Sequence, residues 1–198
     1  MAAIACLPFD VLAYVLYNRK MFKGTSQPNP LSWWLWSFLS ILNFVSYLIY
    51  SKDFVKTLLA LENATSCCIT AYLVSKRVKK TEPLKFWEKI TALLSIIAGL
   101  VWIVFNTAFY ANLIIQVAGW VSSMPTIAAT WETPRKEPRF PWFLWSAIYV
   151  TLFAVIALRI KSWMDLIYPI NYFLVHFTIF ILAIQKATSS TPGKEGVT

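Results

Sequence analysis

The chain has 198 residues, of which 58% are hydrophobic and only 14% charged, and its mean hydropathy is +0.59. So much apolar surface excludes an ordinary water-soluble domain and places the chain in a lipid bilayer. A net charge of +9 would suggest nucleic acid in a soluble protein, but here the basic residues gather in a few segments between apolar stretches, so nucleic-acid binding is set aside.

Seven helical spans are predicted, near residues 2–18, 31–50, 54–75, 90–106, 111–131, 140–158 and 163–185. Each is about the 20 residues that cross roughly 30 Å of hydrocarbon. The first lacks a basic leading region, is interrupted by Asp10 and is followed by Arg19 and Lys20, so it reads as a retained helix and not a cleaved signal peptide. Arg19, Lys20 and Lys23 follow span one, and Lys76, Arg77, Lys79, Lys80, Lys85 and Lys89 lie between spans three and four. Arg135, Lys136 and Arg139 follow span five, and Lys186 and Lys194 follow span seven. The opposite side holds only Lys52, Lys56, Arg159 and Lys161, which predicts an outside N-terminus and a cytosolic C-terminus. The tail 187–198, rich in Ser, Thr, Gly and Pro, is expected to be disordered. Cys6, Cys67 and Cys68 fall within spans and suggest neither a disulfide framework nor a metal site.

The spans fall into two halves. Trp33-Trp34-Leu35-Trp36-Ser37 returns as Trp142-Phe143-Leu144-Trp145-Ser146, and Lys52 and Arg77 keep the same offset of 109 residues to Lys161 and Lys186. The expected fold is an all-α polytopic membrane protein. It comprises a three-helix repeat over 1–77, a cytosolic loop and linker helix over 78–109, and a second three-helix repeat over 110–186. Internal repeats of this kind put a transporter first among the functions.

The second repeat contains Pro125-Thr126, then Trp131, the loop Glu132 to Arg139, and Pro141-Trp142-Phe143-Leu144-Trp145. This resembles the SWEET and PQ-loop superfamily of small membrane transporters, including the PnuC-like vitamin carriers. The resemblance implies that Pro125 is a hinge and that asparagines on the third and seventh spans, here Asn63 and Asn171, hold a small polar solute. Thr126 stands where the family has glutamine, and the counterpart of Pro125 in the first repeat is Leu16, although Pro8 lies about two turns earlier.

Polar residues inside a membrane cost a few kcal/mol each, which singles out Asp10, Glu62, Asn171 and His176. Glu62 and Asn171 sit at matched positions of the two repeats, Ser66 shares the face of Glu62, and Asn63 and Cys67 match Tyr172 and His176. Asn63, Asn171, Glu62, Trp36 and Trp145 are therefore the candidate solute-binding residues, with packing as the alternative role for the two tryptophans. Asp10, Glu62 and His176 are the candidates for proton coupling, which facilitated diffusion would not need. No cofactor, metal or nucleophile motif supports an enzyme, and span seven holds no lysine for a retinal Schiff base. The expected function is a carrier of a small polar metabolite, sugar-like, riboside-like or amino-acid-like. The alternative is a membrane receptor or sorting protein of the same fold, and a homo-oligomer is compatible with either.

Overall fold

The computed structural model describes residues 2–26, 28, 30–77, 86–105, 108–134 and 137–188. Among them the chain is all-helical: α1 (Ala2–Phe22), α2 (Pro30–Ser51), α3 (Phe54–Arg77), α4 (Phe86–Phe105), α5 (Ala108–Glu132), α6 (Arg139–Ala157) and α7 (Ile167–Thr188). A short 3-10 turn, Trp163–Leu166, leads into α7. Five segments are long and apolar enough to cross a membrane: Trp33–Ser51, Phe54–Arg77, Phe109–Glu132, Arg139–Ala157 and Trp163–Ile184. The first span expected from the sequence is helical too, but Asp10, Arg19 and Lys20 dilute its apolar character. In α4 the apolar run is the shorter Lys89–Val101.

The outer surface of the bundle is apolar, and its interior mixes apolar side chains with many polar ones. Phe9, Val11, Leu12, Val15, Ile49, Leu93, Leu100, Val117, Val150 and Leu174 face outward, while Ser37, Asn43, Ser46, Asn63, Thr70, Asn112 and Gln116 are buried. Water would reverse that distribution, whereas lipid favours it, since buried polar groups can bond only one another. The structure therefore fits a multi-pass protein embedded in a membrane.

Helix α3 packs against both α1 and α2, and α7 packs against both α5 and α6. Two further contacts, α1 on α6 and α2 on α5, close the six helices into a ring in the order α1, α3, α2, α5, α7, α6. Helix α4 lies outside the ring against α5 and α2, where Ala98 meets Leu39, Ile115 and Ala118. Fully buried Ala13, Ala71, Ala118 and Ala183 let backbones approach closely, which is how helices gain contact in a lipid solvent that offers no hydrophobic drive between them.

The local geometry repeats at the same offset as the sequence. Ser37 Oγ donates to Trp33 O at 2.8 Å, and Ser146 Oγ to Trp142 O at 2.7 Å. Trp33 meets Trp36 edge-on at 5.1 Å between ring centroids, and Trp142 meets Trp145 edge-on at 5.0 Å.

Several boundaries differ from expectation. Helix α1 runs on to Phe22, because Arg19 and Lys20 extend from its last turn to the polar boundary while their stems stay on the helix. It stops at Gly24, whose φ of +73° is open to glycine and costs other residues about 1–2 kcal/mol, and whose N–H reaches Met21 O. Gly24→Val is accordingly expected to lower stability by about that amount without touching the interior, measurable as earlier thermal unfolding. Pro8 lies inside α1 and not at its start, and α7 reaches Thr188, two residues into the expected tail. Helix α5 continues through position 125, but the Pro125 side chain, the rest of the tail, residues 78–85 and Asn106 lie outside the described residues.

Candidate functional site

The expected span over 163–185 begins with a turn because Ser162 caps it. Ser162 Oγ accepts from Met164 N–H, and the Asp165 side chain reaches back to the Ser162 N–H, a capping box. That turn aims Asp165 into the bundle. Its Oδ2 accepts from Lys56 Nζ at 2.5 Å and from the Lys161 N–H at 2.9 Å, and its backbone oxygen accepts from Tyr47 Oη at 3.0 Å. Lys56, at 0% exposure, is among the most deeply buried side chains of the protein, and it stands 109 residues before Asp165.

A second link lies beside this pair. The Arg159 guanidinium donates twice to Asp53 Oδ2, at 3.0 and 2.9 Å, and Asp53 Oδ1 caps α3 by accepting from Val55 N–H. Burial opposes the charge on Asp53, but the Arg159 bonds and the N–H groups of Lys56 and Val55 outweigh it and hold the carboxyl below its usual range. Lys161 Nζ also donates to Ser51 O. The turn joining α2 to α3 and the one joining α6 to the 3-10 turn are thereby clasped together at this end of the ring. Of the four cations that the sequence places on this side, three hold the clasp.

From the middle of the bundle toward its other, basic end a cavity of about 60 Å³ lies between the two sets of helices. Pairs of residues 109 positions apart line it: Trp33 and Trp142, Trp36 and Trp145, Cys67 and His176, Asn63 and Tyr172, Tyr14 and Ser123. Asn171 lines it as well, so the structure brings Asn63, Asn171, Trp36, Trp145 and His176 to one space. Glu62 and Asp10 are not in the lining, and Glu62 instead accepts from Ser66 Oγ at 2.5 Å, one turn away on α3.

The two asparagines differ in what they leave free. Asn63 Oδ1 accepts from Tyr14 Oη at 2.5 Å and its Nδ2 donates to Ser40 Oγ at 3.1 Å, so both its ends are engaged. Asn171 Nδ2 donates to Gln116 Oε1 at 2.9 Å, and no described group donates to its Oδ1. Gln116 is itself fixed by Asn43 and Asn112 across α2 and α5. Gly119 opens the space beside Asn171, where even a Cβ would sit 3.9 Å from Nδ2. His176 Nδ1 lies 2.6 Å from Tyr172 O, to which it donates, so in the neutral form of the ring Nε2 is the acceptor. The ring also stacks on Tyr149 at 5.2 Å.

At the basic end, Trp142 Nε1 donates to Glu137 Oε1 at 2.7 Å. Glu137 lies in the loop before α6, in a recess shared with Arg19, Lys20, Lys23 and Arg139. Burial pushes its carboxyl up from a usual 4.5 to about 7, against the lowering effect of the Trp142 bond. A carboxyl raised in the folded state binds more protons folded than unfolded, so stability falls as pH rises from about 4.5 to about 7. The full shift corresponds to about 3 kcal/mol, an upper bound because the side chain keeps some exposure and is screened. Thermal melting is expected to come earlier at pH 8 than at pH 5, and Glu137→Gln should flatten that slope.

Sequence reasoning missed Tyr14, Ser40, Gln116, Gly119, Ser122 and the Lys56–Asp165 pair. The pair alone left a signal, opposite charges at positions 109 apart.

The fold and site define a helical membrane protein with an aromatic-lined cavity, its described lining free of Asp, Glu, Lys and Arg, and a clasp of ion pairs at one end of the bundle. Comparison of the chain with protein-family models, with curated proteins and with solved structures finds no match.

Proposed function

We propose that the protein is a seven-span carrier that moves a small, neutral, polar metabolite by alternating access, with two three-helix repeats rocking about the central cavity. The observation that carries this reading is the cavity itself, lined from both halves by residues 109 positions apart, with a clasp of ion pairs at one end of the bundle. Supporting it, each half packs its third helix between the other two, and the halves meet through reciprocal contacts. That is the symmetry expected of parallel repeats around a midplane site, and it agrees with the resemblance to SWEET and PQ-loop transporters.

The lining narrows the solute class. Asp, Glu, Lys and Arg are absent from the described lining residues, whereas amides, hydroxyls and aromatic faces are plentiful. An uncharged molecule with a ring and several hydroxyl or amide groups, such as a monosaccharide or nucleoside, fits that chemistry, and a free amino acid or phosphate ester does not. Pro125 is assigned as the hinge of α5, and the basic end is assigned to the cytosol by its lysines and arginines. A reporter fused to the C-terminus should then be cytosolic and one at the N-terminus external. Both ends on one side would remove the seven-span topology.

The direct test is flux. Proteoliposomes are loaded in turn with labelled monosaccharides and nucleosides. Saturable exchange of at least one neutral member is the expected result, and exchange of none, with binding alone, would leave a receptor on the same scaffold.

A further inference from the structure

Asp10 on α1 and Glu62 on α3 stand side by side in the interior, with Asp10 only 2% exposed. They lie next to the cavity, behind its lining residues Tyr14 and Trp145. Glu62 Oε1 is occupied by Ser66, but Oε2 is buried and receives no hydrogen bond. Two ionised carboxyl groups present acceptors only, so their contact becomes a hydrogen bond when one oxygen carries a proton.

Among the described residues, the groups facing the pair provide no countercharge. Facing the pair are Cys6 and Tyr14 on α1, Cys67 on α3, Tyr149 and Trp145 on α6, and Tyr168 on α7. None is a cation, and Lys56 on the same helix as Glu62 is engaged by Asp165. Two negative charges side by side in such a setting cannot both persist, which is the condition under which paired carboxyls share a proton. The other half lacks the pair: Gly119 and Asn171 stand 109 residues after Asp10 and Glu62, adjacent in the same way but without a titrating group. The site is therefore single and belongs to one repeat.

We propose that Asp10 and Glu62 hold one proton between them and form the proton-binding site of the carrier, loaded and unloaded as the cavity changes the side to which it opens. In the step, a proton leaves water and forms an O–H bond on a carboxyl oxygen, and it returns to water from the other face. No further reactant is required. The proton sharing stands on the interior geometry alone, and the coupling rests on the carrier reading.

Infrared spectroscopy of the full chain in lipid tests the sharing without any solute. At pH 7 the wild type should show a protonated-carboxyl band that shifts on transfer to heavy water and that persists in Glu137→Gln, which removes the other carboxyl titrating near that pH. In Asp10→Asn and in Glu62→Gln, near-isosteric changes whose folding is checked by circular dichroism, the pH at which the band vanishes should move by more than about one unit. A missing band in the wild type or in Glu137→Gln, or the same pH dependence in the wild type, Asp10→Asn and Glu62→Gln, would overturn the pair. The coupling is read with the monosaccharide and nucleoside panel: an inward proton gradient should speed uptake several-fold in the wild type and leave Glu62→Gln unaffected. Uptake indifferent to the gradient, with the band behaving as expected, would reduce the pair to a structural element. Absence of all uptake would instead remove the carrier reading and the coupling with it, while the band would still decide whether the proton is shared.

Discussion

Lys56→Met is expected to cost about 3–5 kcal/mol of stability, the largest effect of any single replacement in the protein. The change leaves the Asp165 carboxylate buried with only the Lys161 and Ser162 N–H groups for company. Asp165→Leu should be comparably damaging, since it strands the ammonium of a side chain with no exposure. The double variant Lys56→Met with Asp165→Leu removes both charges and should recover most of the loss, because the desolvation cost of a buried pair nearly cancels its attraction. Unfolding in mild detergent, followed through the four proteins as a double-mutant cycle, would give the coupling. Arg159→Ala is the contrast: Arg159 is 46% exposed on its side chain, and its loss should cost no more than about 1 kcal/mol. A carrier must break this clasp in each cycle, so the recovered double variant should also reside longer in the state open at that end.

Asn171→Leu is expected to weaken solute binding about ten- to a hundredfold while leaving the bundle folded. Leucine is accepted readily among lipid-facing helices, but it removes an oxygen that the cavity presents unpaired. Gln116→Leu should reproduce part of the loss by a different route, since Gln116 Oε1 orients Asn171 and takes no place in the described lining. Asn63→Leu should act more on stability than on affinity, because both its amide ends are already bonded to Tyr14 and Ser40. Equilibrium binding of a transported panel member to the three variants would rank them. Wild-type affinity in Asn171→Leu would move the recognition role to the Tyr172 and His176 face.

Much of this architecture could be read from the chain because lipid simplifies the code. A span must satisfy its backbone internally, so apolar length alone marked the helices within a few residues. The tryptophan clusters then set the offset that relates the halves, and the same offset finds Ser37 and Ser146 bonded alike. The pairing of Asn63 with Asn171 was expected only from the resemblance to SWEET and PQ-loop transporters, since matched depth pairs Glu62 with Asn171; both asparagines line one cavity. What escaped were pairings between elements distant in sequence. Glu62 and Asn171 occupy matched positions, yet Glu62 turns to Asp10 and Asn171 to Gln116, since the helix each faces carries different partners. Lys56 was read only as one of the few cations on the sparsely basic side, and its partner Asp165 is 109 residues further along the chain. The turn at 163–166 was read as part of a span, although Ser162 and Asp165 have the spacing of a capping box.

Alternating access is the central claim, and Cys67 offers a native probe of it. Its thiol lines the cavity within 3.1 Å of Tyr14 Oη, and replacing Cys6 and Cys68 by serine would leave it as the sole thiol of the chain. Proteoliposomes of uniform orientation would be treated with a membrane-impermeant maleimide from one side and then, in a separate sample, from the other. The account predicts fast labelling of Cys67 from the basic end and slower labelling from the other end in the wild type, with labelling from that other end speeded once Lys56→Met with Asp165→Leu has released the clasp. Labelling confined to the basic end in both proteins, or no labelling of Cys67 at all, would contradict it.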